Sequence, residues 1–262
     1  MKILIALSLF VSCTFCICAN ETPWSSSYQK TLIEQVGKKS ALLSSYPSIE
    51  YPNADYRQIL NKYPKGKILL FGYGSLINGA SAARSVSPAA VDTMRPVVAF
   101  GFKRLFNYKA GNVSRWGEDL QENEKAMLNI EATTTYSHII NGVAMEISQQ
   151  DLEQLIQREV GYDLVPMLIA DWNGLLTENP SVKVEIAYTF LVPDELRNGV
   201  DYTQTRYYPV RGYLHATQQG AATFGPEFLD YWNATTYLSN GTTPITQWGE
   251  QTFSGILDSR EP

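Results

Sequence analysis

Two short segments hold the residues whose types and order could do chemistry. Lys67-Ile68-Leu69-Leu70-Phe71-Gly72-Tyr73-Gly74-Ser75-Leu76 is an apolar run that breaks into a glycine turn. Arg158-Glu159-Val160-Gly161-Tyr162 sets an acid and a tyrosine just past an amphipathic stretch. A buried strand ending in two glycines around a tyrosine can turn sharply and expose successive N–H groups. If a helix follows, those groups point at one spot and bind an anion such as a carboxylate or phosphate. The plainer alternative is a tight connection with no ligand, since glycines are common at strand ends. Glu159 falls at the C-terminal end of a helix, where the dipole gives an anion no help. One reading is a solvated side chain paired with Arg158. The other needs a partly buried carboxylate able to exchange protons near neutrality.

Few other groups compete. The only histidines are His138, expected in a strand, and His215, expected in a long helix, and neither has metal-ligand spacing to a partner. There is no Gly-x-Ser-x-Gly, no phosphate-loop pattern and no dinucleotide glycine fingerprint; Gly72-Tyr73-Gly74 lacks the later glycine and lysine. All three cysteines, Cys13, Cys16 and Cys18, lie in the first 19 residues. That stretch has one lysine, an apolar core from Ile3 to Val11 and small residues up to Ala19, the pattern of a secretory signal too short to span a bilayer. Cleavage after Ala19 leaves a chain without thiols, which excludes disulfides, a thiol nucleophile and thiolate metal sites. The competing reading takes Phe10-Val11-Ser12-Cys13 as a lipobox, with Cys13 acylated and anchoring the protein to a membrane.

The formal net charge is −5, with the charges scattered. Nothing forms a basic groove, so nucleic acid is not an expected partner, and no segment beyond the leader is apolar enough to cross a membrane. Asn20, Asn112, Asn233 and Asn240 head glycosylation sequons, usable in a eukaryotic exported protein.

The elements that must position these residues follow from periodicity. Residues 20–66 form an N-terminal extension with helical spacing at Tyr28, Leu32, Ile33 and Val36 and again at Tyr56, Ile59, Leu60 and Tyr63. Between them, Tyr46-Pro47-Ser48-Ile49-Glu50-Tyr51-Pro52 reads as a loop. Strands are expected at Lys67–Phe71, Val97–Phe102, Ala126–Ile130, Ile139–Ile147 and Val182–Val192. Ser148 caps a helix from Gln149 to Arg158, a longer helix runs from Val210 to about Gly225, and Pro226 opens a short one to Trp232. Residues 233–262 read as an irregular tail. Strands mixed with a few helices, without regular alternation, favour an α+β or mixed-barrel fold over a doubly wound sheet.

Phe71–Leu76, Gly101-Phe102-Lys103-Arg104-Leu105-Phe106-Asn107, Ala126-Met127-Leu128-Asn129 and Asn141-Gly142-Val143-Ala144-Met145 occur in that order. Arg158-Glu159 with Tyr162, then Tyr213-Leu214 with Gly220-Ala221 and Gly225, complete the series. Over residues 67–232 this resembles the gamma-glutamylcyclotransferase-like family, nearest in texture to its ChaC-type glutathione-degrading members. The resemblance implies a small mixed β-barrel flanked by helices, with the site in a cavity at one mouth. It also implies cyclisation of a γ-glutamyl group to 5-oxoproline with release of the attached amine, without cofactor or metal. On that resemblance Tyr73, Gly74, Ser75 and Leu76 hold the γ-glutamyl carboxylate through backbone N–H groups, Glu159 is the essential glutamate, and Tyr162 and Tyr213 are wall residues. The competing classes are a carboxylate-binding protein that kept the cradle and lost catalysis, and a surface-anchored interaction module if Cys13 is lipidated.

Overall fold

The computed structural model describes residues 22–50, 56–63, 66–109, 124–159, 161–192 and 208–248. The leader with its three cysteines, the sequons at Asn20 and Asn112, and the tail beyond Trp248 lie outside the described residues.

Five strands close a barrel in the order β1-β5-β2-β6-β7. The apolar run Lys67–Gly72 is β1, and it pairs antiparallel with β5 (Ile139–Ser148) from Lys67↔Ser148 to Gly72↔Val143. On its other edge β5 pairs antiparallel with β2 (Arg95–Phe100). Next comes β6 (Asp163–Asp171), then β7 (Val184–Leu191), which returns to β1 through a parallel pairing at Leu70↔Tyr188. A second sheet has the order β8-β4-β3-β9, built from Tyr208–Pro209, Glu124–Ala132, Phe102–Lys109 and Thr236–Leu238. The architecture is α+β, a mixed barrel flanked by helices, as the residue pattern implies.

Several elements depart from the expected pattern, each for a physical reason. The run Val97–Phe102 is not one strand. Gly101 has φ +83, a left-handed conformation suited to glycine, and there the chain leaves β2 in the barrel and enters β3 in the second sheet. Strand β6 has no counterpart among the expected strands, because Pro166 interrupts its apolar run. Leu164 exchanges both backbone bonds with Ile49 at 2.9 Å, and nitrogens two residues apart on a strand face the same way. Pro166 therefore turns its missing donor toward that partly open edge, beyond the Val97–Ala99 segment that β2 contributes. Ile49 thus makes a sheet bridge where a loop is expected. The tail is not wholly irregular either, since Thr236–Leu238 lies parallel to β3 as a sheet edge.

The helical extension is real. Helix α1 (Ser26–Ser40) buries Leu32 and Val36 and lies against β6 and β7. Lys39 Nζ donates to Val184 O at 2.6 Å, and Trp24 packs on the rings of Trp172 and Tyr231. The pattern around Ile59 yields a single turn, α2 (Arg57–Leu60). Two further single turns, α3 (Gly79–Ala82) and α4 (Pro88–Val91), follow β1.

Helix α5 (Gln149–Arg158) forms where its apolar spacing places it, and Ser148 caps it in a reciprocal capping box with Asp151. The Asp151 carboxylate accepts from Ser148 N at 2.9 Å and from Ser87 N at 2.6 Å, with both serine hydroxyls also donating to it. Burial pushes the Asp151 pKa up, but these hydrogen bonds together outweigh it and hold the carboxyl below its ordinary value. A carboxylate with a depressed native pKa contributes stability above its unfolded pKa and loses it as pH falls through the native one. Asp151→Asn is therefore expected to cost about 2 kcal/mol at pH 7. In urea titrations this difference should shrink below about pH 4; a pH-independent difference would refute the assignment.

The chain continues through α6 (Trp172–Leu176) to α7 (Arg211–Ala222) and α8 (Pro226–Ala234), the last two close to their expected limits. Of the two described sequons, Asn233 lies in α8 and accepts from Gln218, whereas Asn240 lies in a turn and bonds Thr243. Among the described residues, no helix is long and apolar enough to cross a membrane.

Candidate active site

At the end of β1 the chain enters a 3-10 turn over Ser75–Ile77 and then α3. Ile77 N–H donates to Gly74 O at 2.9 Å and Asn78 N–H to Ser75 O at 3.2 Å. The N–H groups of Tyr73–Leu76 precede these bonds, and the turn itself does not use them. Trp232 Nε1 donates to Tyr73 O at 3.4 Å. Across a trans peptide the N–H points opposite to the carbonyl, so Gly74 N–H is aimed away from Trp232.

Helix α7 reaches this turn because of one missing side chain. A Cβ on Gly220 would stand 2.6 Å from both Cα and N of Asn78, so only glycine lets the helix backbone seat there. Asn78 Nδ2 reinforces the seat by donating to Ala216 O at 3.0 Å. Tyr213 lies two turns earlier on the same helix face, which brings it over Gly74. A Cβ on Gly74 would collide with the Tyr213 hydroxyl.

On the other side, α5 ends with Glu159 N–H donating to Leu155 O at 2.8 Å, and the chain then turns through Gly161 at φ +90. Arg158 Nε lies 3.1 Å from Glu159 Oε1, and the two side chains are only 17 % and 18 % exposed. The pairing with Arg158 exists, but the acid is largely shielded rather than freely solvated. The Arg158 guanidinium also donates to Ser75 Oγ at 3.0 Å and to Ser85 Oγ.

These elements line a half-open cavity of about 40 Å³. Tyr73, Gly74, Ser75 and Leu76 line it, with Glu159, Tyr162 and Tyr213, so all seven residues singled out in the sequence meet at one place. Four lining residues were not singled out. Phe71, Gly72 and Leu128 belong to the ordered motifs and carry that signal, while Phe190 on β7 has none beyond its apolar strand. Asn129 Oδ1 accepts from Val192 N at 2.9 Å, pinning the end of β7 to β4 and bringing Phe190 and Leu128 to the same wall. No described residue of the extension lines the cavity.

The wall is phenolic. Tyr108 and Tyr162 have ring centroids 5.0 Å apart, and Tyr213 packs edge-on to Phe106 at 6.3 Å. Burial drives the Tyr73 hydroxyl well above its usual pKa, with Tyr213 and Glu159 adding to the shift. Burial does the same for Tyr162, followed by Tyr73 and Glu159. Both phenols therefore stay protonated near neutral pH and can donate hydrogen bonds. The site combines backbone donors, phenolic donors and one carboxylate in a partly dry cleft, which is suited to holding an anion and moving a proton beside it. The histidines are elsewhere: His138 precedes β5 and its carbonyl accepts from Gly101, and His215 bonds Gln219 on α7. Among the described residues, no three His, Cys, Asp or Glu side chains gather as metal ligands.

No family model and no curated protein matches the chain. Among solved structures it is similar to a gamma-glutamyl cyclotransferase at 14% identity and TM-score 0.43, covering 72% of this chain and 99% of that one. It is also similar to a gamma-glutamyl cyclotransferase specific to glutathione from yeast, at 14% identity and TM-score 0.41, covering 65% and 97%. YkqA from Bacillus subtilis is similar at 16% identity and TM-score 0.47, covering 72% of this chain and 59% of its own. These are likenesses of outline, and no chemistry assigned to this chain rests on them.

Proposed function

We propose that this protein is a γ-glutamyl cyclotransferase, which cyclises the γ-glutamyl group of a peptide or amine conjugate to 5-oxoproline and releases the amine. The observation that carries the reading is the meeting of Glu159 and the Tyr73–Leu76 turn in one cavity, with the carboxylate side chain 18 % exposed. The ordered sequence motifs support it independently.

The substrate supplies its own nucleophile, so the protein's task is to bind, curl and exchange protons. Backbone N–H groups of Tyr73, Gly74, Ser75 and Leu76 hold the α-carboxylate, fixing the chain in the conformation that places the α-nitrogen on the γ-carbonyl carbon. Glu159 takes a proton from the α-ammonium. The freed amine attacks, the ring C–N bond forms, and the carbonyl oxygen becomes an oxyanion that a phenol of Tyr73, Tyr162 or Tyr213 can stabilise. Collapse breaks the original C–N bond. Protonated Glu159 then delivers its proton to the leaving nitrogen, and the ring nitrogen's remaining excess proton passes to the released amine, which departs as an ammonium. No water is consumed and no covalent enzyme intermediate forms.

The test is to offer glutathione, γ-glutamyl dipeptides and γ-glutamyl-lysine and to measure 5-oxoproline. Formation from at least one is the expected result. None from any, with binding retained, would make the protein a carboxylate binder.

We further propose that the protein is exported and cut after Ala19, on the strength of the Ile3–Val11 apolar core. Mass spectrometry of the mature N-terminus should find Asn20 first; an acylated Cys13 would overturn this in favour of a lipid anchor.

A further inference from the structure

Arg158 ties its own neighbour Glu159 to two serines of a segment distant in sequence. Its guanidinium contacts the Glu159 carboxylate at 3.1 Å, the Ser75 hydroxyl at 3.0 Å and the Ser85 hydroxyl. Ser75 is in the glycine turn and lines the cavity with Glu159. Ser85 follows α3, does not line the cavity, and is 6 % exposed.

The segment around Ser85 also grips the far end of α5, because Ser87 N and Oγ both donate to Asp151. Residues 85–87 therefore act as a splint along the helix that ends at Glu159, holding its first turn through Asp151 and its last through Arg158. Glu159 itself needs such support. It is the helix C-cap at φ −90 and ψ 50, past the last helical residue and two residues before Gly161 at positive φ. Its carboxylate also sits where the helix dipole is unfavourable to an anion. A lysine could offer one point charge, whereas the planar guanidinium presents several donors in fixed directions and can hold all three partners at once.

We infer that Arg158 is a positioning residue, which fixes the Glu159 carboxylate over the glycine turn by tying it to Ser75 and Ser85. Its catalytic consequence rests on the cyclotransferase reading; its geometric content does not. The residue touches no reacting atom. It keeps the acid within reach of the substrate nitrogen while the turn holds the carboxylate, and a displacement of about 1 Å there would cost on the order of a hundredfold.

The test compares Arg158→Gln, Arg158→Lys and Ser85→Ala with the wild-type protein, using 5-oxoproline kinetics, thermal melts and a crystal structure of Arg158→Gln. Arg158→Gln is expected to lower kcat by about 10- to 100-fold with KM changed less than about threefold. Arg158→Lys should recover part of that loss, and Ser85→Ala should lower kcat in the same direction by a smaller factor. In a Glu159→Gln background, Arg158→Gln should add almost nothing, because a residue that acts through Glu159 has nothing left to position. An equal further loss in that background would mean a merely structural role and overturn the inference, as would near-wild-type kcat in Arg158→Gln. If the wild-type protein makes no 5-oxoproline, the cyclotransferase reading fails, and the crystal structure still decides the geometry. A Glu159 carboxylate displaced from the turn supports the inference; one left in place refutes it.

Discussion

Replacing Glu159 with Gln should leave the protein folded and reduce 5-oxoproline formation by about a hundredfold or more. The substitution keeps size, shape and one acceptor oxygen, so the contact from Arg158 Nε to Oε1 survives in weakened form. What it removes is the capacity to carry a proton. In the proposed cycle that capacity is used twice, once to free the α-amine and once to protonate the leaving nitrogen. No histidine, cysteine or second carboxylate among the described residues lining the cavity can take over. Stability should fall by about 1 kcal/mol, because the exchange creates no cavity but weakens a largely shielded ion pair. The measurement is steady-state 5-oxoproline release beside a thermal melt. Turnover within a few-fold of wild type would remove Glu159 from the acid–base role, and a collapsed melt would make it structural.

The largest expected effect on stability is at Arg104 on β3. Its side chain is fully buried and stacks 4.7 Å from the Trp232 ring, with no carboxylate beside it among the contacts it makes. Neutral groups hold it instead. Thr236 Oγ1 accepts at 2.7 Å, Thr235 Oγ1 at 2.9 Å, Trp232 O at 3.0 Å, and Asn141 accepts through both its backbone and side-chain oxygens. Burial pulls the Arg104 pKa down to about 9, still above neutrality, so the group is charged and donates to every one of these acceptors. Arg104→Met fills most of the volume and relieves the cost of burying a charge. It also strips several buried acceptors of their donor, at about 1–3 kcal/mol each, and the second effect wins. We expect a loss of about 4 kcal/mol. In a chain of this size that corresponds to roughly 10 °C in Tm. Because Trp232 also holds the Tyr73 carbonyl, the variant should bind substrate more weakly as well. A melt within a few degrees of wild type would show that the guanidinium is replaceable by apolar packing.

Much of the fold can be read locally. The helix ending at Arg158 is set by its own apolar spacing and by the Ser148–Asp151 box, both contained within a few residues. Strand β1 and the turn after it are set by an apolar run meeting two glycines. The elements that escape local reading are those whose partners are remote. Strand β6 tolerates Pro166 only because its other edge faces Ile49 and β2, and Thr236–Leu238 is a strand only because β3 lies beside it. Gly101 divides one apolar run between two sheets, and only the existence of the second sheet makes that division visible.

The candidate site divides the same way. From sequence alone, this protein has a glycine turn after an apolar strand, one acid placed after a capped helix, and no thiol beyond Cys18. Those properties depend on residue type and short-range order. Whether Glu159 is a solvated partner of Arg158 or a shielded acid beside the turn depends on what packs around it. The tertiary structure decides this through Gly220 seating α7, through Asn129 holding β7 against β4, and through Arg158 reaching Ser75 and Ser85. Burial is a property of neighbours, and here the neighbours come from five separate stretches of the chain.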